Sequence, residues 1–246
     1  MIRAVNLKKR YGKKEALKGI DIQVKKGEIV GLLGPNGAGK TTTFKIILGE
    51  IDPDGGRVFL DERDITYYPM WRRVRLGIGY LPQRPSVFRG LTVEDNIRAY
   101  LEFRPLPRRQ RRRILNLVLE EMGIAHLRHR KALHLSGGER RKLEVARALS
   151  LEPQFMLLDE PFTGIDPISI KEMTRIILKL QRWNLGIVIT DHNVRETLKI
   201  THRAYIINKG RILSAGSPRE IYRDPEVREK FLGEEFSLED EEQKST

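Results

Sequence analysis

Residues 27–50 read GEIVGLLGPNGAGKTTTFKIILGE, and this stretch decides the fold. It opens with an unbroken apolar run, Ile29 to Leu33 around Gly31, of the length of a buried strand. Glycines follow at 34, 37 and 39, and from Lys40 the chain turns helical in pattern. Between that strand and that helix, GPNGAGKT at Gly34–Thr41 matches G-x-x-x-x-G-K-[ST]. The glycines let backbone N–H groups turn inward around a phosphate, and the helix start adds the positive end of its dipole. Asn36, Gly37, Ala38 and Gly39 then form the cradle. Lys40 reaches the outer phosphates as a point charge, the Thr41 hydroxyl is placed for Mg²⁺, and Thr42 bonds an inner phosphate.

A phosphate loop needs an acid on a neighbouring strand to hold the metal. QFMLLDE supplies it: four apolar residues bury a strand and leave Asp159 at its C-terminal end, where sites in open α/β sheets lie. Asp159 is expected to hold Mg²⁺. Glu160, one residue on, is expected to face the attacking water as general base or water orienter.

Outward from these two points the chain has three regions. Before the loop, RAVNLKKRYG, ALKGIDIQVKKG and, after it, GRVFLDERD read as antiparallel strands, with a tight turn expected at Pro53–Gly56. From about residue 84 to 150 the sequence is basic and helical. TVEDNIRAYLEF offers Thr92 as N-cap with Asp95 in the first turn, and RRQRRRILNLVLEEMGI aligns Ile114, Leu117, Val118 and Met122 on one expected core face. After residue 150, strands (QFMLLDE, LGIVITD, RAYIINKG) alternate with helices (SIKEMTRIILKLQRW, NVRETLKIT), which implies a mostly parallel sheet. SPREIYRDPEVREKFLGEEF reads as short helices, and residues 237–246 as a polar, acidic tail.

The 246 residues suit one large domain carrying an inserted lobe. With 39% hydrophobic and 32% charged residues the chain is globular rather than disordered. No apolar run approaches the roughly 20 residues of a membrane span. The start, MIRAVNLKKRYG, lacks a signal peptide's apolar core, and the absence of cysteine excludes disulfide and thiol chemistry; a cytoplasmic location is the expectation. The net charge of +13 can serve nucleic acid, an anionic membrane face or an acidic partner, or be simply a well-solvated surface. High charge without cysteine also hints at a thermophile.

LSGGE at Leu135–Glu139 has neither lysine nor a buried strand before it, so it is not a second phosphate loop of the first kind. Ser136, Gly137 and Gly138 at a helix start can bind an anion through free N–H groups, or serve only as an N-cap. The basic run that follows, Arg140–Lys142, reads as a solvated face.

Taken with these motifs, residues 2–236 resemble the ATP-binding subunits of ABC transporters. The likeness rests on Tyr11 in KKRYG, the phosphate loop, Gln83 in YLPQ, LSGGE, Asp159–Glu160, Asp166 in GIDP and His192 in ITDHN. It implies an α/β P-loop NTPase (RecA-like) core with an N-terminal antiparallel β-subdomain and an inserted helical subdomain. It also implies ATP and Mg²⁺ as cofactors, with Tyr11 stacking on adenine, Gln83 touching the metal and His192 touching the γ-phosphate. Members dimerise head to tail, so Ser136, Gly137, Gly138 and Asp166 are expected to complete the partner's ATP site. Two integral membrane subunits are the expected partners, through their coupling helices, on the cytoplasmic face of the inner membrane; nucleic acid is not expected.

Within the family, GYLPQRPSVFRGLTVEDNI, LLDEPFTGIDPISI, ITDHNVRETL and FLGEEFSL are similar to the ATPases of lipopolysaccharide exporters. Phe88 and Arg89 occupy the positions that face the coupling helices there. Gly90, where a second basic residue is expected, the basic PLPRRQRRR and the extended tail depart from that pattern. The alternatives are the ATPase of a branched-chain amino acid importer, a soluble ABC ATPase acting on DNA or ribosomes, and a non-hydrolysing module. Against the last stand Glu160, His192 and Lys40; against the soluble ATPase, the single cassette and the lack of a heptad run.

Overall fold

The computed structural model describes residues 1–192 and 194–232; the expected tail at 237–246 and most of the FLGEEF ending lie outside them. Two sheets enclose one helix. The first is antiparallel, formed by β1 (Ile2–Tyr11), β2 (Lys14–Val24), β4 (Gly55–Leu60) and β5 (Arg63–Asp64) in the order β2-β1-β4-β5. The second has the order β10-β9-β3-β8-β7-β6, from β3 (Ile29–Leu33), β6 (Ile78–Leu81), β7 (Phe155–Asp159), β8 (Gly186–Asp191), β9 (Arg203–Asn208) and β10 (Arg211–Gly216). Its pairs are parallel except for the β9–β10 hairpin.

Helix α1 (Lys40–Leu48) follows the phosphate loop directly. Its Phe44, Ile46 and Ile47 are fully buried in a cluster that draws on both sheets. Each such side chain contributes about 1.5–3 kcal/mol on leaving water. The helix ends on Gly49, in the left-handed region at φ 73°. Its last carbonyls are taken by Arg73 of α2 (Met70–Arg75), which donates to Ile46 O and Ile47 O at 2.7 Å and to Thr66 O and Tyr68 O. Burial pushes the Arg73 guanidinium down to about 10, still cationic at neutral pH and suited to a helix C-terminus.

Between β6 and β7 lie α3 (Val93–Leu101), α4 (Arg108–Glu121) and α5 (Gly137–Leu149), which pack over the opposite face of the parallel sheet with α6 (Pro167–Arg182). Thr92 caps α3 as expected, accepting from Asp95 N at 3.0 Å. The expected core face of α4 needs correction: Leu117 is 51% exposed, and Leu115 and Leu119 are buried with Ile114, Val118 and Met122. At about 100° per residue these five span one stripe, and Leu117 falls well outside it. Helix α6 starts two residues before the expected Ser169 because Asp166 caps it and Pro167 fits its first position. The expected turn at Pro53–Gly56 ends early: Gly55 and Gly56 already belong to β4, with Gly56 at φ 86° against a bulge in β1. A Cβ on Gly56 would sit 2.3 Å from Asn6 O, so only glycine fits. After β8, α7 (Val194–Leu198) leads into β9, and α8 (Pro218–Arg223) closes the far edge under a Ser217–Glu220 capping box.

No helix among the described residues is long and apolar enough to cross a membrane.

Candidate functional site

Parallel register builds the site. Leu33 pairs with Asp191, Asp159 with Thr190, and Leu81 with Leu158, so β3, β8, β7 and β6 end side by side. Adjacent strands lie about 4.8 Å apart, and the residues just past those ends therefore share one edge. They are Gly34, His192, Glu160 and Gln83, expected from motifs spread over the whole chain.

The phosphate loop is held open by close backbone approaches. Gly34 (φ 145°) lies where a Cβ would meet Ile207 O at 2.1 Å; Gly39 (φ 120°) is pressed against Leu17 and Ala16. Gly210 N donates to Ala38 O at 2.9 Å, tying the loop to the β9–β10 turn. Helix α1 has no side-chain cap, so its first N–H groups have no side chain competing for them. Lys40 is buried and donates to Gly34 O at 2.7 Å and Pro35 O at 3.1 Å. Burial pushes its pKa down, opposed by the nearby charges of Glu160, Asp191 and Asp159. Asn36, Gly37 and Thr41 are exposed, Thr42 half-buried and Ala38 buried.

Asp159 is buried at the end of β7. Thr190 donates to one carboxylate oxygen and Tyr80, at 3.5 Å, to the other. Burial, and after it the neighbouring Glu160 charge, raise its pKa. Glu160 adopts a left-handed backbone at φ 44°, which costs a non-glycine residue about 1–3 kcal/mol. That conformation is fixed from both sides. Its N–H donates to Thr190 O at 3.0 Å, and its carbonyl accepts from Arg141 at 3.3 Å. Gln83 and Thr163 donate to its Oε2 at 2.7 and 3.1 Å, and His192 Nδ1 lies 3.6 Å from the same oxygen.

Arg141 corrects the reading of residues 140–142 as a solvated face. It is 6% exposed and donates to the carbonyls of Pro82 (2.7 Å), Asp159 (3.2 Å), Glu160 and Pro161 (3.3 Å each), with Glu144 as its ion-pair partner at 3.0 Å. Glu144 in turn accepts from Ser86 N at 2.6 Å. One residue of α5 thus fastens the segment carrying Gln83 to the segment carrying Glu160. Residues 141 and 144 line up with Gly138, Val145 and Ala148 at helical spacing, a sequence signal for burial outweighed by their charge.

The LSGGE segment lies elsewhere in the chain. Ser136 is the N-cap of α5 in a full capping box: its hydroxyl accepts from Glu139 N and its own N–H donates to Glu139. Both sequence readings of this loop remain compatible with that cap. A Cβ on Gly138 would meet Ser169 Oγ at 2.2 Å, and Gly137 lies against Gly164 and Ile165. Asp166 accepts from Ile168 N, Ser169 N and Ser169 Oγ, which hold its carboxyl below the ordinary range. The loop and Asp166 therefore pack together, and among the described residues no hydrogen bond joins either to the phosphate loop. Tyr11, 49% exposed, ends β1 with Lys9 over its ring.

Phe88 is 46% exposed on a clamped loop. Buried Asn96 accepts from Phe88 N at 2.8 Å and donates to Phe88 O at 3.0 Å. Arg147, near the end of α5, stacks its guanidinium 4.8 Å from the Phe88 ring and donates to Ser86 O. Arg89 is exposed beside it, its carbonyl bound by Leu133 N.

Comparison with known proteins accords with this geometry. The family model for ABC transporters matches residues 17–163. The lipopolysaccharide export system ATP-binding protein LptB of Acidithiobacillus ferridurans is 51% identical over 238 residues, 97% of this chain and 99% of the relative. LptB of Escherichia coli is 50% identical over 236 residues, covering 96% and 98%. The crystal structure of a nucleotide-free ATP-binding cassette from an ABC transporter superposes with a TM-score of 0.85 at 28% identity, over 95% of this chain and 99% of that one. With its α/β P-loop architecture and its phosphate loop set against Asp159 and Glu160, the chain belongs to the ABC transporter family as one of its ATP-binding, ATP-hydrolysing cassettes.

Proposed function

We propose that this chain is the ATPase subunit of a lipopolysaccharide exporter, working as a homodimer on two membrane subunits at the cytoplasmic face of the inner membrane. The observation that carries this reading is the roughly half-identical match to exporter ATPases along nearly the whole chain. Residues 1–236 act as one cassette in this reading, with about 84–150 as its inserted lobe.

Tyr11 stacks on adenine, and the N–H groups of Asn36, Gly37, Ala38 and Gly39 ring the phosphates. Lys40 exchanges the carbonyls of Gly34 and Pro35 for β- and γ-phosphate oxygens; Thr42 bonds an inner phosphate. Magnesium suits the donor set of one buried carboxylate and one hydroxyl beside phosphate oxygens. Asp159, Thr41 and Gln83 would hold it, and its charge would offset that of the phosphates. Glu160, released by Gln83, takes a proton from water as the new oxygen–phosphorus bond forms and the bond to ADP breaks. His192 contacts the γ-phosphate from the end of β8. Ser136, Gly137 and Gly138 of one protomer bind the partner's γ-phosphate, with Asp166 braced behind them. ATP joins the dimer and hydrolysis releases it, because the γ-phosphate is the differential contact. Phe88 and Arg89 transmit that motion to the coupling helices.

Affinity isolation of the tagged chain from detergent-solubilised native membranes tests this. Two membrane subunits carrying lipopolysaccharide are expected. Importer-type permeases, or ribosomes or DNA without membrane proteins, would overturn the exporter reading and leave the ATPase.

A further inference from the structure

Five of the six residues from Arg108 to Arg113 are arginine, and they open α4. This is an unfavourable place for them. A helix N-terminus repels cations, and Arg108/Arg112 and Arg109/Arg113 are like charges one turn apart. The first turn holds no acid, and Pro107 provides no side-chain cap. Nor does the fold neutralise them. Arg111 donates to Arg104 O at 3.2 Å, but the side chains of Arg108, Arg109, Arg112 and Arg113 have no hydrogen bond or ion pair among the described residues. The neighbouring arginines differ: Arg98 and Arg128 pair with Glu94, and Arg104 pairs with Glu152.

Apolar groups stand among these free cations. Phe103, just before the cluster, is 77% exposed, while Leu106 packs on the core and anchors the loop between Pro105 and Pro107. Leu117, 51% exposed, shares a shallow surface with Arg109, Arg112 and Arg113, on which Glu120 is the single acid. On the other flank Arg108 and Arg112 border an open cleft of about 630 Å³ between α3 and α4, whose lining also includes Glu94 and Glu102.

We propose that this end of the helical lobe docks on an anionic phospholipid surface, with Arg108, Arg109, Arg112 and Arg113 binding lipid phosphates and Phe103 and Leu117 entering the interface. Charge complementarity calls for a polyanion, and the two exposed apolar side chains select a bilayer over nucleic acid. Guanidinium groups beside a shallow apolar wedge are the composition of interfacial membrane anchors. The contact goes beyond the coupling-helix docking proposed above and does not depend on the cargo.

The test is sedimentation of the purified full chain with vesicles of phosphatidylcholine alone or with added phosphatidylglycerol, at low and high salt. Binding to the anionic vesicles only, weakened by salt, is expected. Arg109→Gln/Arg112→Gln/Arg113→Gln should weaken it roughly 100-fold, each charge at an anionic surface being worth about fivefold, with ATPase activity in solution unchanged. Phe103→Ser, at an exposed loop position, should abolish the part of the binding that survives high salt, and it keeps the test open if the triple variant fails to fold. Equal binding to neutral vesicles, unchanged binding by a folded triple variant or by Phe103→Ser, or displacement from anionic vesicles by duplex DNA or RNA at equal phosphate would overturn the proposal, the last in favour of a nucleic-acid face.

Discussion

The Arg141 guanidinium donates to the carbonyl oxygen of Glu160 at 3.3 Å while its ion-pair partner Glu144 holds Ser86 N at 2.6 Å. Helix α5 begins at the LSGGE loop and ends near Arg147, which stacks on Phe88. A single rigid rod therefore touches three places: the loop proposed to reach the partner's ATP, the backbone of the proposed general base, and the proposed membrane-subunit dock. One helix is thus the direct physical link between these three places.

Arg141→Met should destabilise the chain by about 3–5 kcal/mol, because it leaves Glu144 charged, buried and unpaired. Adding Glu144→Leu should restore much of that stability. Turnover should stay low in both variants, since neither restores the clamp on the Glu160 backbone. Thermal melts and steady-state ATPase assays of the two variants separate the roles; recovery of activity together with stability would remove Arg141 from the positioning of Glu160.

Glu160→Gln should lose roughly 10²–10⁴-fold in hydrolysis, the usual contribution of a general base. ATP binding should persist, because Lys40 and the loop backbone are untouched, and the dimer should accumulate with ATP in size-exclusion chromatography. Near-normal turnover would assign the water to another group.

The composite site predicts complementation. Subunits carrying Lys40→Ala and subunits carrying Ser136→Arg should each be inactive alone. Mixed, they form heterodimers with one site free of both substitutions, and partial activity should return. No recovery at any mixing ratio would mean that the Ser136 loop acts only as the α5 cap it forms within one chain.

Asp159→Asn should raise thermal stability while abolishing magnesium-dependent hydrolysis. Burial raises the Asp159 pKa, so its ionised form opposes folding. For a carboxyl with a raised folded pKa, the wild-type chain is relatively stabilised below the unfolded pKa, and that advantage is lost as pH rises through the folded value. The asparagine variant should therefore melt higher at neutral pH. The difference should close in acid, where the wild-type carboxyl is protonated.

Phe88→Ala should leave ATP binding intact and weaken co-purification with the membrane subunits. The Phe88 backbone is held by Asn96, so the loop keeps its course without the ring. Unchanged co-purification would move the dock elsewhere on the lobe.

The local chemistry was legible in the one-dimensional chain. A buried strand, a glycine loop and a helix in succession dictate a phosphate cradle, because backbone conformation and dipole direction are set within a few residues. Thr92, Ser136 and Asp166 were recognisable as candidates for helix starts or loop roles for the same reason, and the alternation of strands and helices fixed the parallel sheet. What only the tertiary structure decided depends on contacts between distant segments. The inner face of α4 required knowing which stripe meets α3 and α5: Leu115 lies on it and Leu117 does not. Arg141 looked solvated because charge within a basic run argues for water, yet four carbonyls from Pro82 and residues 159–161 converge where its side chain reaches. Those acceptors come from segments about 20 and 60 residues away, brought together by the parallel register of β6 and β7. The residues that perform chemistry are announced by short-range pattern, whereas the residues that hold them are chosen by whatever unsatisfied backbone the fold leaves beside them.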